Sequence, residues 1–161
     1  MNLLVIRHAM AEEISQTGQD KDRPLSAKGR ERFNQFCKHL SFLDLQFDLL
    51  LESHLLRAQQ TADIFCKYFS VQQRERSNNL DPSSEPESLL LELASHNLNS
   101  IAVIGHQPFL SRFINFCLTT DEEAFIIFKR GAMAFLDFSL AVQPGSAQLK
   151  SLLDPKYFIK K

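Results

Sequence analysis

The sequence contains no tryptophan, only three cysteines and no excess of charge of either sign: 18 lysines and arginines stand against 19 acidic residues, for a net charge of −1. A near-neutral chain has no global field for gripping a polyanion, so nucleic acid is not an expected partner and any anion site must be local. Cys37, Cys66 and Cys117 are widely spaced, each in an apolar helix-like stretch. That suggests neither a disulfide framework nor a zinc knuckle and leaves buried free thiols as the expectation. The longest apolar run near the start, Leu3 to Ile6, stops at Arg7 and His8, far short of a signal segment or a membrane span. A cytoplasmic protein without membrane contact is expected. Neither a Walker lysine loop, an acidic cluster nor a His/Cys ligand spacing is present, so no metal or other cofactor is expected.

What is present suits one ordinary globular domain spanning residues 1–161, because a chain of this size already buries roughly 70% of its unfolded surface. Hydrophobic residues at 44% and charged residues at 23% exclude a mainly disordered chain. Fourteen phenylalanines promise a core rich in rings. No feature of the pattern sets an oligomeric state.

Leu3-Leu4-Val5-Ile6 is a continuous aliphatic run, the mark of a strand covered on both faces. The polar stretch Ala11 to Pro24, with turn signals at Thr17-Gly18 and Arg23-Pro24, predicts a long loop, and such loops are usually functional. Ser26 then caps a helix to about Leu43 with Phe33, Phe36, Cys37 and Leu40 on one face. Phe47 to Leu51 predicts a second strand, followed by a helix from about His54 to Phe69 with Ser53 as its N-cap. A short strand near Arg76 to Leu80 and a helix over Ser88 to His96 are expected next. Ile101 to Ile104 is a third aliphatic strand, leading through Gly105-His106-Gln107-Pro108 into a helix over Phe109 to Leu118. Ala132 to Phe138 and Ala147 to Leu153, separated by Pro144-Gly145, read as late antiparallel edge strands. The alternation predicts an α/β three-layer sandwich, a mostly parallel central sheet flanked by helices, with ligands beyond the carboxyl ends of the strands.

Those ends carry Arg7-His8-Ala9, then Glu52-Ser53-His54 with Arg57 one turn on, then Gly105-His106-Gln107. Arg57, four residues into its expected helix, should lean back over the helix's positive end, a place that favours a dianion. Gly105 would let the backbone approach a bound group. Arginine offers bidentate hydrogen bonds to phosphoryl oxygens, and neutral imidazole is a nucleophile at physiological pH. Each residue also has a plainer reading alone: His8 as a core histidine, His106 as a helix cap, Arg57 as a surface charge paired with Glu52 or Asp63. None of these explains why all stand at strand ends. His39 and His96, near helix ends without partners in sequence, read as surface residues.

Arg7-His8-Ala9, the run from Ser53 through Arg57-Ala58 to Thr61, and Gly105-His106 together resemble the histidine phosphatase superfamily, the phosphoglycerate-mutase-like or RHG enzymes. Arg23-Pro24-Leu25-Ser26 with Gly29, the short chain and a closing Asp154-Pro155 are similar to its SixA-type phosphohistidine phosphatase branch. The resemblance implies that His8 is the phosphorylated nucleophile, that Arg7, Arg57 and His106 bind the phosphoryl group, and that Arg23 reaches the pocket from the long loop, a solvated side chain being the alternative for Arg23. Ser53 is a cap with a further part at the pocket rim. Two departures stand out: Ala9 replaces the usual glycine, and His54 stands where proline is common.

A phosphate ester leaves as a poor alkoxide and needs a positioned general acid. Only Asp81, Glu85 and Glu87 are offered where larger members of the superfamily carry that carboxylate. A phosphohistidine needs less help, because its distal ring nitrogen, with a reference pKa of about 6.5, can take a proton from solvent. The expected partner is therefore a phosphohistidine-bearing phosphorelay or phosphotransfer protein. A small-metabolite phosphatase and a noncatalytic phosphate-binding module are the alternatives.

Overall fold

The computed structural model describes residues 1–121, 123 and 126–159. Its elements run β1 (Asn2–Arg7), α1 (Ala27–Leu40), β2 (Gln46–Glu52), α2 (Leu56–Phe65), β3 (Ser70–Arg76), α3 (Pro86–His96), β4 (Ser100–Gly105), α4 (Phe109–Thr119), β5 (Met133–Asp137) and β6 (Gln148–Leu153). The sheet order is β3-β2-β4-β1-β5-β6. The first four strands are parallel, while β5 runs antiparallel to β1 and β6 antiparallel to β5. This is the expected sandwich with its late antiparallel pair.

The aliphatic runs explain the layers. Alternate side chains of a strand point to opposite faces, so Leu4, Ile6, Leu50, Ala102 and Ile104 pack with Phe33, Phe36, Ala62 and Phe65 of α1 and α2. Leu3, Val5, Leu51, Ile101 and Val103 pack with Leu89, Leu93, Phe109 and Phe113 of α3 and α4. Phe36 is wholly buried, and truncating such a ring to alanine costs about 3–5 kcal/mol.

Several boundaries differ from expectation. The strand predicted near Arg76 to Leu80 is instead β3, Ser70–Arg76, and Asn78–Leu80 is a 3-10 turn. That edge strand is exposed along most of its length and polar, so it lacks the alternation that marks a half-buried strand. Helix α3 starts at Pro86 rather than Ser88, with proline in the first turn where its missing N–H is harmless. Helix α2 is shorter than predicted; its N-cap is Leu55, not Ser53, and Arg57 is its second residue rather than its fourth. Cys37 and Cys117 are buried free thiols, but Cys66, at the end of α2, is exposed. Among the described residues, no helix is long and apolar enough to cross a membrane.

Candidate active site

The sheet register builds the site. Arg7 pairs with Gly105 across β1 and β4, so the next residues, His8 and His106, leave adjacent parallel strands side by side. Their rings lie 4.9 Å apart between centroids, inclined at 47°. The third strand end is tied in by Ser53, whose N–H donates to the Ile104 carbonyl at 3.0 Å. This lies where a parallel sheet reverses its strand order, the usual ligand crevice of such folds.

Local hydrogen bonds fix the pieces. Thr61 Oγ1 donates to the Arg57 carbonyl at 2.7 Å and accepts the Ala9 N–H at 3.1 Å, pinning the loop after β1 to the start of α2. Gly131, at φ +77°, donates its N–H to the carbonyls of Arg7 and His8. A Cβ there would meet Phe33 at 3.2 Å and Pro155 at 3.3 Å, so both the conformation and the space call for glycine. Gly105 serves differently from the expectation: a Cβ on it would press on Leu110 at 3.2 Å, so its bareness serves core packing rather than approach to a ligand.

His8 Nδ1–H donates to the Ala9 carbonyl at 2.7 Å. That fixes the tautomer and leaves the Nε2 lone pair free. Burial, aided by the nearby charges of Arg57, Arg7 and Arg130, pushes the His8 pKa down to about 3. Burial likewise takes His106 down to about 2, with His8, Arg57, Arg7 and Arg23 adding to the effect. Both rings are neutral at physiological pH.

The cleft around them, about 730 Å³, is lined by Arg7, His8, Arg23, Arg57 and His106, among others. Arg7 Nη1 donates to the Phe128 carbonyl at 2.8 Å. Arg57 Nη1 and Nη2 donate to the carbonyl and carboxylate of Asp20 at 2.9 and 3.0 Å. Glu52 and Asp63, the partners a surface reading would give Arg57, are instead bonded by Arg74. After these bonds, Arg7 Nε, Arg57 Nε and both ring nitrogens of His106 remain buried without a hydrogen-bond partner among the described residues. Buried polar groups are seldom left so, and a cluster of them on one cleft calls for a ligand with several acceptor atoms.

Five of the six expected site residues, Arg7, His8, Arg23, Arg57 and His106, are thus brought together. Ser53 is not among the lining residues: it is wholly buried, donating to Asp81 Oδ1 at 3.1 Å and accepting the Leu55 N–H at 3.3 Å. Asp81 is held by that bond, Glu85 pairs with Arg112 at 3.1 Å and Glu87 is exposed, so none of the three candidate acids lines the cleft. Glu12 and Glu13 do line it, both exposed. No sequence signal pointed to these two, nor to Asp20 or Arg130. Arg130 follows residues 126–129, which form no regular element, and no motif marks it. His39 and His54 are exposed and His96 is half-buried, all outside the cleft. A groove of about 840 Å³ at the other end of the sheet, lined by Leu3, Leu40, Phe47 and Leu153, is mainly apolar and holds no histidine. Among the described residues, no group of three or more His, Cys, Asp or Glu is placed to hold a metal ion.

Comparison with known proteins adds a lineage. The model of the histidine phosphatase superfamily (branch 1) matches residues 3–81, which include His8 and Arg57 but not His106. An uncharacterized protein of Picosynechococcus sp. is 31% identical over 116 residues, 70% of each chain. The solved structure of the protein histidine phosphatase SixA complexed with tungstate matches at a TM-score of 0.85 and 20% identity, over 98% of this chain and 99% of that one. The alpha-ribazole phosphatase from Shigella flexneri matches at a TM-score of 0.75 and 19% identity, over 96% and 97%. Both structures share the fold of this chain.

Proposed function

We propose, because this chain belongs to the histidine phosphatase superfamily, that it removes the phosphoryl group from phosphohistidine carried by another protein, through a phosphorylated His8. The observation that carries the reading is the set of nitrogens without a partner among the described residues on Arg7, Arg57 and His106, side chains that line one cleft with His8. A phosphoryl group supplies the missing acceptors, with the arginines stabilising the charge of the transferring group.

In the first step His8 Nε2 bonds to phosphorus as the P–N bond of the substrate breaks. The departing imidazole carries a proton taken from solvent. In the second, a water oxygen bonds to phosphorus, the Nε2–P bond breaks and orthophosphate leaves. Because His8 is neutral before attack, no base is needed to activate it. The bound dianion favours the charged form of His106, so that ring can donate a hydrogen bond once the phosphoryl group is in place.

The lack of a buried acid in the cleft, among the described residues, supports the substrate class. An ester substrate requires a carboxyl group kept protonated by burial, and no buried carboxyl lines this cleft among the described residues. The likeness in fold to a protein histidine phosphatase supports the same reading. A second reading has one observation in its favour: Glu12 and Glu13 line the cleft and would protonate an ester if drawn over the substrate. Turnover of a phosphohistidine protein and of small phosphate esters, measured side by side, separates the two. The expected kcat/KM ratio is at least ~10³ in favour of the protein, about 4 kcal/mol of transition-state discrimination. Comparable values would establish the ester reading.

A further inference from the structure

A second depression, about 490 Å³, adjoins the phosphoryl cleft and shares Arg7, Met10 and Arg130 with it. Its walls come from the first turns of α1, the turn at Lys129–Gly131 and the segment Asp154–Lys156. Beyond Arg7, its charged lining is Arg32, Lys129, Arg130 and Lys156 against one carboxylate, Asp154. Asp154 stands 3.6 Å from Lys156 Nζ, while Arg32, Lys129 and Arg130 form no ion pair with any described residue. In a chain whose net charge is −1, this is a local excess of cations in a concave site. Glu12 and Glu13 line only the neighbouring cleft.

Most of the excess serves no ion pair among the described residues: of the four cations only Lys156 has partners, Asp154 and the Tyr157 ring, which its Nζ overlies at 4.5 Å. Lys129, Arg130 and Lys156 are exposed, and the charge of Arg130 works against protonation of both Arg7 and His8. Like charges gathered in a depression with the apolar walls of Phe33 and Pro155 focus a positive potential onto whatever enters. The phosphoryl group is already provided for by Arg7, Arg57 and His106. The cations of the second depression are therefore left over for a different anion. A single-stranded nucleic acid would want exposed rings on which bases stack, and the one ring in the lining, Phe33, is 1% exposed. Carboxylates need only the cations.

We infer that this depression docks an acidic stretch of the protein whose phosphohistidine enters the cleft, an inference that rests on the phosphohistidine reading for its occupant. Asp and Glu side chains flanking the phosphohistidine contact Arg32, Lys129, Arg130 and Lys156, steering the encounter and orienting the phosphoryl group toward His8.

The test uses two fluorescein-labelled, unphosphorylated peptides of one length, one carrying several Asp and Glu residues and one with Asn and Gln in their place. Anisotropy titrations should show the wild type binding the acidic peptide at least ~10-fold more tightly at low salt, with the difference shrinking at high salt as charges are screened. Arg32→Gln/Lys129→Gln/Lys156→Gln should abolish that preference. None of these three residues lines the phosphoryl cleft, so the triple variant should hydrolyse the small substrate phosphoimidazole at the wild-type rate. Equal binding of the two peptides by the wild type, or a preference undiminished in the variant, overturns the inference. So does displacement of the acidic peptide by a single-stranded RNA of equal charge at lower concentration, which would mark a nucleic-acid surface. A wild type that binds the acidic peptide selectively but hydrolyses no phosphohistidine defeats the substrate reading and leaves the acidic docking site standing.

Discussion

Asp20 holds Arg57 by two bonds, its backbone carbonyl accepting from Nη1 at 2.9 Å and its carboxylate from Nη2 at 3.0 Å. Its other carboxylate oxygen stands 3.1 Å from Arg23 Nε. One exposed acid thus sets two arginines of the cleft and leaves Arg57 Nε without a partner among the described residues. Asp20 does not itself line the cleft, so it is a positioning residue.

Asp20→Ala is expected to lower kcat/KM by about 10-fold, the scale of misplacing a charge stabiliser rather than removing it. Asp20→Asn, which keeps an acceptor for Arg57, should recover most of the loss. Folding stability should change little, since the carboxylate is 65% exposed and exposed ion pairs are worth about 0–1 kcal/mol. Steady-state kinetics of the two variants check this. Arg7→Ala and Arg57→Ala should each lose at least ~10²-fold, the effect of deleting the charge itself.

The histidine pair makes a pH prediction. With folded pKa values of about 3 for His8 and about 2 for His106, the native protein stays unprotonated at both as pH falls, whereas the unfolded chain takes up protons near the reference value of about 6.5. The unfolded state then binds more protons, so stability is full above that value and declines as pH falls toward the folded pKa values. The slope is at most about 1.4 kcal/mol per pH unit for each histidine. Urea unfolding of the wild type and of His8→Asn/His106→Asn between pH 7 and 4 should show a shallower decline in the variant. Parallel curves would mean the rings are not held neutral.

Thr61 connects the loop after β1 to α2 by one hydroxyl. Thr61→Val keeps the shape but strands the buried Ala9 N–H, a cost of about 1–3 kcal/mol. Thr61→Ser should recover the bond. A lower urea midpoint for the valine variant, at unchanged denaturant slope, is the expected readout.

Much of this architecture was legible in the residues themselves. The aliphatic runs Leu3 to Ile6, Phe47 to Leu51 and Ile101 to Ile104 became the three buried parallel strands, because strands covered on both faces leave an unmistakable pattern. Those strand ends supplied His8, Arg57 and His106. Edge strand β3 was misplaced because Gln72 to Arg76 are exposed and polar, with no periodicity to read. Ser53 looked like a cap beside the site but turns inward to Asp81, a partner 28 residues away. Asp20 meets Arg57 across 37 residues and Arg130 reaches the cleft from far along the chain, and no local signal in sequence reports either.

Exhaustive chelation should leave activity intact, since both steps of the proposed reaction run through side chains and water alone. Vanadate, which adopts the pentacoordinate shape of the transferring phosphoryl group, should inhibit competitively. Activity abolished by a chelator and restored by one divalent ion would refute the metal-free chemistry.

His8 Nε2 is the nucleophile on which the proposed reaction turns, and rapid-quench trapping with a radiolabelled phosphohistidine protein tests this most directly. The wild type should carry acid-labile, alkali-stable label during turnover, as a phosphorylated imidazole requires, and His8→Ala should carry none. Undiminished label on the His8→Ala protein would contradict that role.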